Sequence, residues 1–278
     1  MSGVRSADML RFIHISDTHF GASDPEAIRA LGFEIETSSA AAVVLTGDIT
    51  QSGRRREFQA AERFLSRLPM PKLVVPGNHD APVYSVAERL IDPWRRFRRY
   101  IARELNPVLS IGRLYVVGLN SARRAQIGLD WSLGALSGRQ RKAAGERLAS
   151  VQNGALKAVA FHHPVLPGPG RAGAAVIPEA GEILEGFAQA GADLILTGHA
   201  HIGDAKLYVG GRRSIIVSSA GTASSTRIRG EAPSFNVVDW RPESIAVSVY
   251  RYKSGAFLRD ARHEFSCERG FWKREATA

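Results

Sequence analysis

Six short apolar runs punctuate the first two thirds of the chain, at 12–15, 42–45, 73–75, 115–117, 158–161 and 194–196. Each is rich in Val, Ile, Leu or Ala with little polar alternation, the pattern of strands covered on both faces. Between them lie stretches with helical spacing of apolar residues, at 24–35, 54–67, 85–105, 138–151 and 179–190. Strand–helix alternation predicts an α/β core. After Gly203 the texture changes. Runs at 206–209, 214–219, 234–240 and 244–252 are separated by turn formers such as Gly210-Gly211 and Arg241-Pro242, and predict antiparallel strands. No repeat or low-complexity segment interrupts this order. The Pro/Gly stretch 164–171 is expected to be a loop within one domain spanning 9–267. Residues 1–8 and 268–278 are expected to be flexible tails, with Met9 an alternative start to Met1.

Composition is that of a globular protein, 44% hydrophobic and 23% charged over 278 residues. No apolar run approaches the roughly 18 residues of a membrane helix, and the polar residues 1–8 lack the apolar segment of a signal peptide. A single cysteine, Cys267, excludes an internal disulfide framework. These features predict a cytoplasmic location. The formal charge of +10 admits a nucleic-acid or acidic-membrane partner, but the excess arginine is spread along the chain, so general arginine bias is the favoured explanation.

The candidate chemistry sits where the predicted strands end. Asp17 and His19 follow the first, Asp48 the second, and Asn78, His79 and Asp80 the third. His162 and His163 follow a later strand, and His199 and His201 another. In open α/β sheets the carboxyl edge is where ligands bind. Any one of these pieces is commonplace, but together they gather six of the eight histidines at one sheet edge. Imidazole with carboxylate suits borderline divalent ions such as Zn, Mn or Fe. The set is too large for one ion and fits two, roughly 3.5–4 Å apart with a shared carboxylate. The glycines before Asp48, Asn78 and His199 allow tight turns there.

The ordered blocks Asp17-x-His19, Gly47-Asp48, Gly77-Asn78-His79-Asp80, His162-His163-Pro164 and Gly198-His199-x-His201 resemble the signature of calcineurin-like metallophosphoesterases, from about residue 10 to 240. Ile15-Ser16-Asp17-Thr18-His19 and the block 219–225 are similar to the bacterial class III cyclic-nucleotide phosphodiesterases and glycerophosphodiesterases of that superfamily. The resemblance implies a fold of two β-sheets packed as a sandwich and flanked by helices. It also implies a dinuclear site in which Asp17, His19 and His201 hold one ion, Asn78, His162 and His199 the other, and Asp48 both. His79 resembles the catalytic histidine that assists the leaving group, with Asp80 orienting it. His162 is taken as the ligand because the family's ligand lies two residues before the proline, which leaves His163 lining the site.

The implied activity is hydrolysis of a phosphate ester, a diester in the leading reading. A phosphomonoesterase or a lipid-linked pyrophosphate hydrolase of the UDP-diacylglucosamine type is the alternative within enzymes. A non-catalytic scaffold is disfavoured because the full ligand set is present. His14 and His263 are expected to be structural. The basic segment 93–103, with Trp94, Phe97 and Tyr100 at helical spacing, is expected to pack its aromatic side down rather than bind a membrane or nucleic acid. Arg123 and Arg124 follow a strand end within conceivable reach of a substrate phosphate, and the late strands offer an edge for a homo-oligomer.

Overall fold

The computed structural model of the chain describes residues 9–124, 132–168, 176–225 and 231–276. The apolar runs become strands β1 (Leu10–Ile15), β2 (Val43–Thr46), β3 (Lys72–Val75), β5 (Leu114–Gly118), β6 (Leu156–Ala160) and β7 (Leu194–Thr197), with β4 (Val108–Ile111) preceding β5. The late region supplies β8 (Asp204–Val209), β9 (Ser214–Ser219), β10 (Ser234–Arg241), β11 (Ser244–Lys253), β12 (Ala256–Glu268) and β13 (Phe271–Arg274). One sheet has the order β13-β12-β11-β10-β1-β2-β3 and the other β4-β5-β6-β7-β9-β8. β1, β2 and β3 run parallel in the first, and β5, β6, β7 and β9 in the second.

Alternate residues of each central strand face opposite ways, which divides the core into three layers. Phe12, Val44 and Leu73 of the first sheet meet Val116, Ala158, Leu194 and Ile216 of the second between the sheets. Ile13, Ile15 and Leu45 face outward to Leu31 and Ile35 of α1 (Pro25–Thr37) and to Phe58 and Phe64 of α2 (Arg55–Arg67). Val117, Val159 and Ile195 do the same against Leu148 of α5 (Gly138–Ser150) and Leu184 and Phe187 of α6 (Ala180–Gln189). Fully burying a side chain such as Phe12 or Leu194 contributes about 2 kcal/mol. The expected helix-flanked sandwich of two sheets is the observed architecture. Among the described residues no helix is long and apolar enough to cross a membrane.

Helix starts follow local chemistry. Asp24 caps α1 by accepting the Glu26 amide at 2.8 Å, with Pro25 at the first helical position. Ser137 and Gln140 form a reciprocal cap on α5. The single helix expected over 85–105 is instead two short ones, α3 (Val86–Ile91) and α4 (Arg95–Tyr100). Pro93 forces the break: the residue before a proline avoids the helical region, and Asp92 leaves it at φ −150°, ψ 81°. Trp94 and Phe97 are buried while Arg95, Arg98 and Arg99 face solvent, as the packing argument for this segment required.

One boundary needs correcting. The end placed among flexible tails, 268–278, contains β13. Trp272 lies in the inter-sheet core at 4% exposure, and its indole N–H donates to Asp193 Oδ1 at 3.2 Å. A single buried indole amid charged neighbours leaves almost no pattern in sequence, yet it anchors the strand. Residues 1–8 lie outside the described residues.

Candidate metal centre

Every candidate ligand stands in a loop at the carboxyl end of β1, β2, β3, β6 or β7. Parallel pairing within each half aligns these ends, and face-to-face packing brings the two rows together. The loops are conformationally costly. Among the described residues nine non-glycine positions have positive φ, and five are Asp17 (54°), His19 (44°), Asp48 (49°), His199 (66°) and His201 (60°). Each such conformation costs on the order of 1 kcal/mol and persists only where the surroundings enforce it, typically at functional sites.

The side chains converge as two clusters sharing one carboxylate. In the first, Asp17 Oδ1 lies 3.0 Å from His201 Nε2 and 3.6 Å from His19 Nε2, and the two imidazole nitrogens are 3.3 Å apart. In the second, His162 Nε2 lies 3.2 Å from both Asn78 Oδ1 and His199 Nδ1. Asp48 Oδ2 is 3.3 Å from His162 Nε2 and 3.9 Å from His19 Nε2, so it faces both groups. All seven expected ligands are therefore brought together.

Each carboxylate is held by one oxygen and presents the other. Asp17 Oδ2 accepts the His199 amide at 2.9 Å, and Asp48 Oδ1 accepts the His79 amide at 2.8 Å. His162 Nδ1–H donates to the Thr46 carbonyl at 2.7 Å, which leaves Nε2 to face the cluster. From behind, Thr222 Oγ1 donates to the Asp17 carbonyl at 2.8 Å and Ser224 Oγ to that of Thr18 at 2.8 Å, giving the block 219–225 a structural role. Gly47 and Gly77 lie where these loops touch. A Cβ on Gly77 would overlap the backbone nitrogen and Oδ1 of Asp48, and Gly47 has a φ of +84° against the Gly77 backbone.

His79 and Asp80 are held by different partners. His79 Nδ1–H donates to the Gln51 carbonyl at 2.7 Å, so Gln51 orients the ring. Asp80 is fully buried, and its carboxylate accepts the amides of Thr50 (2.8 Å), Gly77 (2.9 Å) and Ile49 (3.3 Å) and the Thr50 hydroxyl (3.0 Å). Asp80 thus ties the loop after β2 to the loop after β3, and the bond to the His79 ring comes from Gln51. The two residues lie in one 3-10 turn, Asn78–Asp80, where successive side chains diverge.

His163 is buried beside the second cluster, its ring centroid 4.9 Å from that of His162 and 5.0 Å from that of His199. Ser121 Oγ receives the amides of His162 and His163 at 3.2 and 3.3 Å and lies 2.8 Å from His163 Nδ1. With both lone pairs so engaged, the hydroxyl hydrogen goes to Nδ1, which places the ring proton of neutral His163 on Nε2. His14 is a core residue, its ring nitrogens 3.3 Å from Ser218 Oγ on the facing sheet and 3.0 Å from Thr46 Oγ1 on the neighbouring strand. His263 lies on β12 beside Arg274 and Asp204. Arg123 and Arg124 are exposed, outside the donor clusters.

The electrostatics fit cations. Burial pushes the Asp17 carboxyl up, but His201 and His19 outweigh it and hold the group well below the ordinary range. Asp48 is likewise lowered by His162 and His79 against its burial. Burial disfavours the charged form of His162, yet the Asp48 carboxylate overcomes it and pushes the imidazole up to about 9. Burial and the charge of His162 push His199 down to about 4. Two buried anions need adjacent positive charge, and the imidazoles around them supply only part of what two ions would. Asp17 Oδ1 accepts no well-formed hydrogen bond although two imidazole nitrogens stand within 3.6 Å. Donor atoms that crowd without hydrogen-bonding fit shared coordination to an ion. The groups Asp17–His19–His201, Asp17–Asp48–His162 and His162–His163–His199 each hold donor atoms within 4.8 Å of one another.

Comparison with known proteins agrees. The sequence model of a family described as calcineurin-like phosphoesterase matches residues 10–203. A curated relative, glycerophosphodiester phosphodiesterase GpdQ of Enterobacter lignolyticus, is 38% identical over 80 residues, covering 24% of this chain and 28% of the relative. In structure the chain is similar to PhoD, with a TM-score of 0.74 at 10% identity over 98% of this chain and 72% of that one. It is also similar to the purple acid phosphatase PPD1 of yellow lupin (Lupinus luteus), with a TM-score of 0.68 at 11% identity over 90% of this chain and 53% of that one. At these identities the structural likenesses show the fold.

Proposed function

The chain belongs to the calcineurin-like phosphoesterase family, and on that premise we propose that it is a phosphodiesterase working through two divalent ions. The observation that carries the reading is the position of Asp48 Oδ2, facing His162 Nε2 at 3.3 Å and His19 Nε2 at 3.9 Å. Asp17, His19 and His201 would hold one ion, Asn78, His162 and His199 the other, and Asp48 would serve both. The mixed imidazole and carboxylate donors suit Mn, Fe or Zn. Such ions supply Lewis-acid stabilisation of the phosphoryl group and acidify the attacking water.

The protein's own groups do the rest. Asp80 and Thr222 hold the ligand loops in their strained conformations. His79, fixed through Nδ1–H, presents Nε2 to the leaving oxygen and, as the imidazolium, delivers its Nε2 proton there. His163 offers its Nε2–H to an anionic oxygen beside the second cluster. The diester preference is supported by the partial likeness to a relative named for glycerophosphodiester hydrolysis, of which 28% is covered.

The test is hydrolysis of bis(p-nitrophenyl) phosphate against p-nitrophenyl phosphate, by protein stripped of metal and then reloaded with Mn²⁺. Turnover that returns with metal and favours the diester supports the proposal. A preference for the monoester transfers it to phosphatase.

A further inference from the structure

Beside the site lies a surface that the proposed reaction does not use. Among the described residues eleven large apolar side chains are exposed, and five of them fall within 83–91: Val83, Tyr84, Val86, Leu90 and Ile91. Tyr84 is 72% and Ile91 77% exposed. Scattered apolar side chains need no explanation, but a contiguous patch does. The cause is local: Pro93 cuts the helix to six residues, and α3 buries only Arg89, so its apolar side chains find no layer beneath them.

The surroundings are basic. A cavity of about 360 Å³ between α3 and α4 is lined by Ile91 and Tyr100 and by Arg55, Arg95 and Arg99. The acids nearby are already engaged, Glu88 with Arg96 at 2.6 Å and Asp92 with Arg98 at 2.6 Å. Among the described residues no carboxylate pairs with Arg55, Arg95 or Arg99. The Arg54 guanidinium lies 4.6 Å over the Tyr84 ring. The patch also adjoins the candidate centre, since the Val83 amide bonds to the Ser52 carbonyl, next to the Gln51 carbonyl that holds His79.

We propose that this face docks on an anionic lipid bilayer, with Tyr84, Val86, Leu90 and Ile91 entering the interface and Arg55, Arg95 and Arg99 meeting headgroup phosphates. An apolar ridge rimmed by arginines is the composition that interfacial binding requires. A nucleic acid or acidic peptide would satisfy the arginines and leave the aliphatic ridge in water. A second copy would bring the same unpaired arginines against each other in a chain of net charge +10. The bilayer surface satisfies both halves of the patch.

The experiment is co-sedimentation of the full chain with phosphatidylcholine vesicles, with and without about one third phosphatidylglycerol. Binding is expected only with the anionic lipid and should weaken as salt rises. Leu90→Asp with Ile91→Asp should reduce it at least about tenfold, and Arg95→Ser or Arg99→Ser about fivefold each. Turnover of a soluble diester should be unchanged in these variants, which separates loss of docking from misfolding and from failure of the phosphodiesterase reading. Equal binding to neutral vesicles, wild-type binding by the double aspartate variant, or no binding to either vesicle would overturn the proposal.

Discussion

His79 donates its Nδ1–H to the backbone carbonyl of Gln51 at 2.7 Å, and that bond sets the tautomer as well as the direction of the ring. A ring held in this way exchanges protons through Nε2 alone. Its ring meets that of His19 edge-on, centroids 5.0 Å apart, but is not among the clustered donors, so His79 is separable from metal binding. His79→Ala is expected to keep wild-type metal content and lose about 10²- to 10⁴-fold in kcat. Metal analysis beside single-turnover kinetics checks it, and full activity would remove His79 from the mechanism.

Asp80 predicts a different phenotype. Removing its carboxylate strands three backbone amides and a hydroxyl in a fully buried place. Asp80→Ala should cost about 3 kcal/mol in urea unfolding and weaken metal retention. A variant of wild-type stability with a selective loss of rate would instead support the orienting role expected from sequence.

Gly77 tests the close approach of two loops. The Cβ of Gly77→Ala would occupy the space of the Asp48 backbone nitrogen and Oδ1, so one loop must withdraw. The variant is expected to fold and to bind fewer ions than the wild type. Full stoichiometric loading, measured by elemental analysis, would show that the loops have slack that the packing does not suggest.

His14 makes stability depend on acid. Burial lowers its imidazole from the ordinary 6.5 to about 3, against a small opposing effect of Asp17. The unfolded chain therefore binds a proton below about pH 6.5 that the folded chain refuses until about pH 3. Its contribution is present above pH 6.5 and is lost as pH falls, by about 1.4 kcal/mol per unit. His14→Gln should flatten the fall in unfolding free energy between neutral pH and pH 5 by up to one proton. An unchanged slope would place the acid sensitivity elsewhere.

Much of this site is legible in sequence because its parts are local. Strands covered on both faces leave uninterrupted apolar runs, and the ligands follow those runs within a few residues, so Asp17, Asp48, Asn78, His162 and His199 announce themselves. What supports them is less visible. The carbonyls of Thr46 and Gln51 have no side-chain signature, and the hydroxyls of Ser121 and Thr222 resemble any loop serine or threonine. Their roles depend on register between elements more than 25 residues apart in chain order for His79 and Gln51, and further for the others. The missed strands have a related cause. β12 alternates charged residues on a mostly exposed face, and β13 carries one buried side chain, Trp272. The break between α3 and α4 was signalled by Pro93, but the helical spacing on both sides obscured it.

The central claim is that Asp48 joins two ion sites, and the direct measurement is metal content with Mn²⁺ electron paramagnetic resonance on the wild type and Asp48→Ala. The account predicts two ions per chain and an exchange-coupled signal in the wild type, with coupling and turnover both lost in the variant. One ion per chain in the wild type, or coupling that survives without Asp48, would contradict it.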